Sequence, residues 1–394
     1  MNRRQFLTTT LVSSVALAAR AAAPERQLRV AVIGHTGQGD YGHGLDAVWL
    51  RVPEVELVAV ADADPAGLAK AQKKLKLEHG FADYRKMLGE TKADIVAVAP
   101  RHVDEHHDMI LAAIDSAAQG IYVEKPFCRT PAEADEIIAA ADQHKVKIAV
   151  AHRNRYHPAV TTVQRLVKEE AIGRLLEIRC RGKEDARGGA EDLWVLGAHL
   201  LNLAVVYSGK PLAATAVLSQ DGRPATKADL KDGAEGVGPI AGNEVHARFE
   251  TERNVPVFFD SVANAGEKAA GFGLQLVGTK GIVDFRLDSE PVAQFCAGNP
   301  FQPVKEPRAW VPISSAGIGQ PEPIADLKEQ VSFHLLPAHD LIAAIREDRP
   351  PLCSAADGRA VVEMIMAVFA SHRLNGQRVA LPLANRQNPL GQWS

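Results

Sequence analysis

The spacing of apolar and polar positions changes along the chain, and the changes divide it in two. From 28 to 152, short β-branched runs alternate with stretches whose apolar residues recur at helical spacing. Leu28 to Ile33, Glu56 to Ala61, Ile95 to Ala99, Ile121 to Glu124 and Ile148 to Ala151 read as strands. Between them Pro65 to Lys76, Glu105 to Ala118 and Pro131 to His144 read as helices, two of them opened by a proline at the first helical position. This alternation predicts an α/β domain with a doubly wound parallel sheet, the Rossmann arrangement. After a helix from Pro158 to Glu170 the chain turns strand-rich, with Leu175 to Arg181, Ala213 to Ser219, Glu244 to Glu250, Pro256 to Ala263, Leu274 to Gly278 and Ile282 to Phe285. Few helices separate these runs, so 153–394 is expected to be an α+β domain on an open, mostly antiparallel sheet. Asp221 to Gly242 and Ala297 to Pro323, rich in Gly, Pro and charge, read as surface loops that partly cover a site. Two helices, Ile324 to Glu347 and Ala355 to Asn375, and a strand from Arg378 to Leu381 close the chain, with the helices able to pack back on the first domain.

Composition narrows the partners. A chain of 394 residues, 46% of them hydrophobic, has material for two cores. Its formal charge of -3, with no long run of either sign, argues against nucleic acid and polybasic membrane surfaces and leaves small molecules. The first 23 residues differ: Asn2-Arg3-Arg4-Gln5-Phe6-Leu7 leads into an acid-free apolar run from Leu11 to Ala19. This resembles a twin-arginine signal peptide, and it predicts export to the periplasm with a mature chain starting near Ala21 to Pro24. The run is well short of the ~20 residues of a membrane span. Twin-arginine export carries folded proteins, so a cofactor could be loaded beforehand. Cys128, Cys180, Cys296 and Cys353 show no C-x-x-C spacing, so no zinc or dithiol motif is read; buried free thiols are expected, although an oxidising compartment would permit a disulfide.

The chemistry concentrates at predicted strand ends. The first strand runs into Gly34-His35-Thr36-Gly37-Gln38-Gly39, with Gly42 and Gly44 before the helical residues Leu45 to Leu50. Glycines there let backbone N–H groups approach a pyrophosphate at a helix N-terminus. The spacing G-x-x-G-x-G is a variant of the dinucleotide fingerprint, and its context supports it: Asp62 closes the second strand, where a carboxylate accepts from the adenosine ribose hydroxyls. The same charge favours NAD over NADP. Glu124-Lys125-Pro126 directly follows a strand, which places Lys125 in the ligand crevice as a proton acceptor or a polariser of a substrate hydroxyl. His102, His106, His107 and Asp108 invite a metal assignment, but they open a helix, where polar side chains cap and face solvent, and no metal is expected.

With these motifs the sequence resembles the glucose-fructose oxidoreductase, inositol dehydrogenase and rhizopine catabolism family, Gfo/Idh/MocA. The resemblance rests on the glycine turn, Val58 to Asp62, Glu124-Lys125-Pro126, Arg153 to Pro158, Gly188 to His199, and the ending Leu374 to Val379 with Leu381-Pro382-Leu383. It implies a Rossmann domain followed by an open sheet that carries substrate and forms homodimers or homotetramers. It further implies hydride exchange between a nicotinamide cofactor and a hydroxyl of a sugar, cyclitol or related molecule. The cofactor-binding set is then Gly34, Thr36, Gly37, Gln38, Gly39, Asp62, Pro100, His106, Glu124 and Lys125. The family carries an Asp four residues before a His on the first helix of the second domain. The His is His199, but Val195 stands at the Asp position. Asp192, seven residues from His199 and so two helical turns away on one face, is a candidate replacement, giving a catalytic set of Lys125, His199 and Asp192. Substrate contacts are expected from Arg153, Arg155, Tyr156, Lys183, Asp192 and His199, the two arginines being equally readable as surface ion-pair partners. The departure at Val195 leaves a second reaction class open: a redox-neutral hydrolase or lyase that oxidises, eliminates and returns the hydride. A sugar-binding protein without turnover is a third reading, which the intact Glu124-Lys125-Pro126 opposes.

Overall fold

The computed structural model describes residues 26–266 and 272–393. The predicted signal segment lies outside them. Six strands, β1 (Leu28–Ile33), β2 (Val55–Ala61), β3 (Gly80–Phe81), β4 (Ile95–Val98), β5 (Gly120–Val123) and β6 (Lys147–Val150), form a parallel sheet in the order β3-β2-β1-β4-β5-β6. The strand order reverses between β1 and β4, which opens a crevice at the carboxyl ends of those strands. β4 and β5 are buried at every position, as strands covered on both faces must be. Helices α1 (Pro65–Leu75), α2 (Tyr84–Thr91), α3 (His106–Asp115) and α4 (Pro131–His144) connect them. Asp64 and Thr130 cap α1 and α4 ahead of their prolines, accepting from the Gly67 and Glu133 N–H groups.

After α5 (Pro158–Lys168) come β7 (Leu175–Arg181), the one-turn α6 (Ala190–Asp192), α7 (Ala198–Ser208), β8 (Pro211–Gln220), β9 (Arg223–Pro224), β10 (Lys231–Asp232) and β11 (Pro239–Ile240). Strands β12 (Glu244–Thr251), β13 (Val257–Val262), β14 (Gly273–Gly278), β15 (Gly281–Arg286), β16 (Ala293–Ala297), β17 (Trp310–Ser314) and β18 (Gly317–Ile318) follow, then α8 (Leu327–Ser332), α9 (Leu335–Arg346), α10 (Ala355–Arg373) and β19 (Val379–Ala380). The large sheet runs β18-β17-β16-β15-β14-β7-β13-β12-β8-β19, antiparallel except for the β7–β13 pair. Along β12, Val245, Ala247, Phe249 and Thr251 are buried while His246 and Arg248 face outward, so helices cover one face only.

Two expectations need correction. Ala297 to Pro323, read as loop, contains β17 and β18, because pairing with β16 overrides a composition rich in Gly and Pro. The helix expected from Ile324 to Glu347 is two helices, broken at His334, whose backbone is left-handed with φ 59°. Helix α9 then lies on β5 and β6 of the first domain, where Gly120 leaves room for Leu341 and Ile345.

Candidate active site

At the mouth of the first sheet the glycine-rich segment folds as a compact turn. His35 and Asp40 pair as a bridge, and Gly37, Gly39, Gly42 and Gly44 all have positive φ. Gly42 is demanded by close approach as well: a Cβ there would lie 2.4 Å from the Glu124 carboxylate and 2.6 Å from the Ala99 carbonyl oxygen. The helix expected at Leu45 to Leu50 is only a 3-10 turn, Ala47–Arg51. With Gly42 and Gly44 in left-handed conformations the backbone coils instead of entering an α-helix, so any anion contact comes from the turn's own N–H groups.

Asp62 is buried at the end of β2 and collects that turn. Its carboxylate accepts from the Thr36 backbone N–H and hydroxyl, the Asp64 N–H and, at 2.9 Å, the Tyr41 hydroxyl. Burial alone would raise its pKa, but these bonds outweigh it and hold the carboxyl below its ordinary value. Tyr41 lies across Gly34, so any ligand hydroxyl at Asp62 would compete with the bond that Tyr41 makes here. The Gly37 N–H is held by Asp40, and Gln38 is exposed on the turn.

Glu124 secures the turn from the other side. Its Oε2 accepts from the His43 N–H and from His43 Nδ1, both at 3.0 Å, and its Oε1 accepts from the Lys125 N–H. Burial would raise the Glu124 pKa, yet the His43 bonds and nearby positive charge bring it down to about 2. Lys125 follows at a cis peptide bond to Pro126 and is 3% exposed. Its Nζ donates to the Val195 carbonyl oxygen at 3.4 Å, and the Val195 side chain offers no carboxylate.

Lys125 borders a cavity of about 240 Å³ between the domains. His199, Arg153 and Lys183 line it, together with Arg187 from the same polar loop as Lys183; His43, His334 and Asp288, which sequence reasoning did not single out, line it too. The His199 and His152 Nδ1 atoms lie 3.1 Å apart, so the two rings share one proton. Burial holds His152 down to about 3 and His199 well below its ordinary value, and the positive charge of Lys125 adds to both, so the pair is neutral. Arg153 donates to Asp288 at 2.7 Å and to the Ser332 carbonyl.

Several expected residues lie elsewhere. Asp192 is fully buried, accepting from the Ser261 hydroxyl at 2.6 Å and the Glu184 N–H at 3.0 Å, and it does not border the cavity. Leu193–Gly197 forms a π turn, which adds residues per turn and breaks the seven-residue register that would have aligned Asp192 with His199. Arg155 donates to the Asn202 carbonyl and to Asp357, and the Tyr156 hydroxyl accepts from the Cys353 N–H, so both tie α10 and α7 to the first domain's edge. His106 does not face solvent: its ring nitrogens lie 2.8 Å from the carbonyl oxygens of Pro100 and Pro126, which fastens the ends of β4 and β5 together. All four cysteines are buried and unpaired.

A second cavity, about 210 Å³, opens beside the turn and is lined by Gly34, Asp62, Tyr84 and Met109. Asp62 at one end and Lys125 with His199 at the other, separated by the glycine turn, fit the two halves of a dinucleotide. Residues 28–152 match the family described as "Oxidoreductase family, NAD-binding Rossmann fold". That match makes the first domain an NAD-binding Rossmann domain of the Gfo/Idh/MocA oxidoreductase type. Levoglucosan dehydrogenase of Pseudarthrobacter phenanthrenivorans is 24% identical over 351 residues, 79% of this chain and 86% of that protein. D-apiose dehydrogenase of Paraburkholderia graminis is 30% identical over 125 residues, 32% of this chain and 33% of its own length. Among solved structures, levoglucosan dehydrogenase in complex with NADH and levoglucosan superposes with a TM-score of 0.70 at 22% identity, covering 91% of this chain and all of that one. An NAD-binding oxidoreductase from Klebsiella pneumoniae gives 0.69 at 20% identity, covering 90% of this chain and 99% of that one. No helix among the described residues is long and apolar enough to cross a membrane.

Proposed function

We propose that this oxidoreductase oxidises a hydroxyl of a sugar, cyclitol or similar small polyol and uses NAD in preference to NADP. The observation that carries the proposal is one cavity, sugar-sized at about 240 Å³, in which buried Lys125 and the neutral His199 meet polar and charged groups from both domains. NAD, when bound, supplies the hydride acceptor. Asp62 supports the cofactor preference, since a 2'-phosphate would meet its negative charge and the next residue is Ala63. With the shared proton on His199 Nδ1 and donated to His152, His199 Nε2 is left to accept the hydroxyl proton, while the Lys125 ammonium donates to the same oxygen and stabilises its developing charge. Arg153, Lys183 and Arg187 orient the remaining hydroxyls. Purified full-length protein offered a panel of sugars, cyclitols and aldonates should reduce NAD with at least one of them; no change in nicotinamide absorbance with any of the panel would overturn the proposal.

Val195 favours keeping a second reading. No carboxylate occupies the position where the family carries its Asp, which fits a redox-neutral lyase or glycosidase that restores its cofactor in each turnover. Cleavage of a glycoside without net NADH formation would select it. The Arg3-Arg4 leader supports export by the twin-arginine route, and fusing residues 1–30 to a twin-arginine-dependent reporter tests that. The one-sided large sheet supports a homodimer or homotetramer, to be read by light scattering.

A further inference from the structure

The break between α8 and α9 places one unexplained polar group at the cavity. Phe333 is 53% exposed, but the left-handed turn at the next residue brings His334 inside, where it is 1% exposed and borders the cavity with Lys125, His43 and Glu124. Its Nδ1 lies 2.5 Å from the Tyr122 hydroxyl. Among the described residues that phenol has no other acceptor, so its O–H donates and Nδ1 carries no proton. Burial lowers the His334 pKa to about 4, which keeps the ring neutral at ordinary pH. A neutral ring unprotonated at Nδ1 carries its proton on Nε2. That Nε2–H is buried and has no acceptor among the described residues. Buried donors at this depth are almost always paired, and a left-handed, non-glycine residue held beside a reaction cavity is a place where conformational strain accompanies function.

We propose that His334 is a ligand-binding residue whose Nε2–H, fixed as a donor by Tyr122, is completed by an oxygen of the molecule that enters the cavity. Two oxygens share that chemistry: a hydroxyl of the sugar, which rests on the function proposed above, and the carboxamide oxygen of the nicotinamide. Neither needs His334 to exchange a proton. Its role is to hold the reacting pair in register, and Tyr122, separated from Glu124-Lys125 by Val123 alone, is the positioning residue behind it.

The test has a spectroscopic arm and a binding arm. Long-range proton–nitrogen spectra of histidine-labelled protein should show His334 as the Nε2–H tautomer, and its ring signals should move when NADH is added or when the sugar found in the panel is added to the NADH complex. In His334→Phe, which keeps ring bulk, the Kd for NADH should rise about tenfold if the carboxamide is the acceptor; otherwise the KM for the sugar should rise about tenfold with NADH binding unchanged. His334→Gln, which retains a donor at similar reach, should recover most of either loss. An Nδ1–H tautomer in the wild-type protein would overturn the inference, as would wild-type NADH affinity and sugar KM in a folded His334→Phe variant. The tautomer and the NADH arm are decided even if no sugar reduces NAD, so failure of the substrate reading and failure of this inference are separable.

Discussion

The two ends of the dinucleotide crevice rest on single side chains with different duties, and their substitution should separate binding from turnover. Asp62 is a charged acceptor already surrounded by donors from Thr36, Tyr41 and Asp64. A hydrogen bond to a charged group contributes roughly 1.5–3 kcal/mol, so Asp62→Ala should weaken NADH about 10- to 100-fold and narrow the preference for NAD over NADP, read by fluorescence titration of both cofactors. Lys125 is buried beside the cavity and takes no part in holding the turn beyond its backbone N–H. Lys125→Met should therefore leave NADH affinity within a few-fold of wild type while lowering kcat by about 100-fold or more, the range of a positioned acid–base group. Equal losses in both quantities would show that Lys125 is chiefly a cofactor-binding residue.

Glu124 links the end of β5 to the glycine turn through its pair of bonds to His43, 81 residues away in sequence. Glu124→Gln keeps the size but loses the ionised acceptor, and removal of a buried charged partner costs about 1–3 kcal/mol. The expected result is weaker NADH binding together with a lower melting temperature, the latter raised towards wild type by saturating NADH; an unchanged melting temperature would rule out this bracing role. That bond also shows what could be read from sequence at this scale. Strands β1 and β7 and helix α4 carry their boundaries in apolar period, proline and cap, so they were legible to the residue. Local rules missed what tertiary contact decides: β17 in a Gly- and Pro-rich stretch, the break at His334, and the π turn that takes Asp192 away from His199. At the site, Lys125 and Asp62 could be singled out because motif and strand end coincide, and His199, on helix α7, only through the family resemblance. His43, His152 and His334 reach it from three separate segments with no shared spacing, and only the Glu-Lys-Pro context could have prompted a search for partners of Glu124.

The histidines that complete the site also set how the whole molecule responds to acid. His152, His157 and His334 are each at most 4% exposed, and burial lowers them to about 3, 4 and 4. A histidine whose pKa is depressed by folding favours the native state fully only above its unfolded value, ~6.5. As pH falls below that value the unfolded chain takes up protons that the folded chain refuses, and stability is lost down to about pH 3–4. At pH 5 this amounts to about 2 kcal/mol for each such histidine relative to pH 7, before any carboxylate with a depressed pKa begins to contribute. Most of this cost is tied to the site, but His157 can be tested alone. It caps α5 through Nδ1, which accepts from the Ala159 N–H, and its Nε2 lies 4.0 Å from Glu290. Asparagine caps as well and does not titrate. The denaturation midpoint of the wild-type protein should therefore fall steeply from pH 6.5 to 5, and that of His157→Asn should fall less steeply while matching it near pH 7.5. A midpoint independent of pH across this window would mean that the buried rings take up protons in the folded chain, which would also remove the neutral His152–His199 pair that the proposed proton transfer requires.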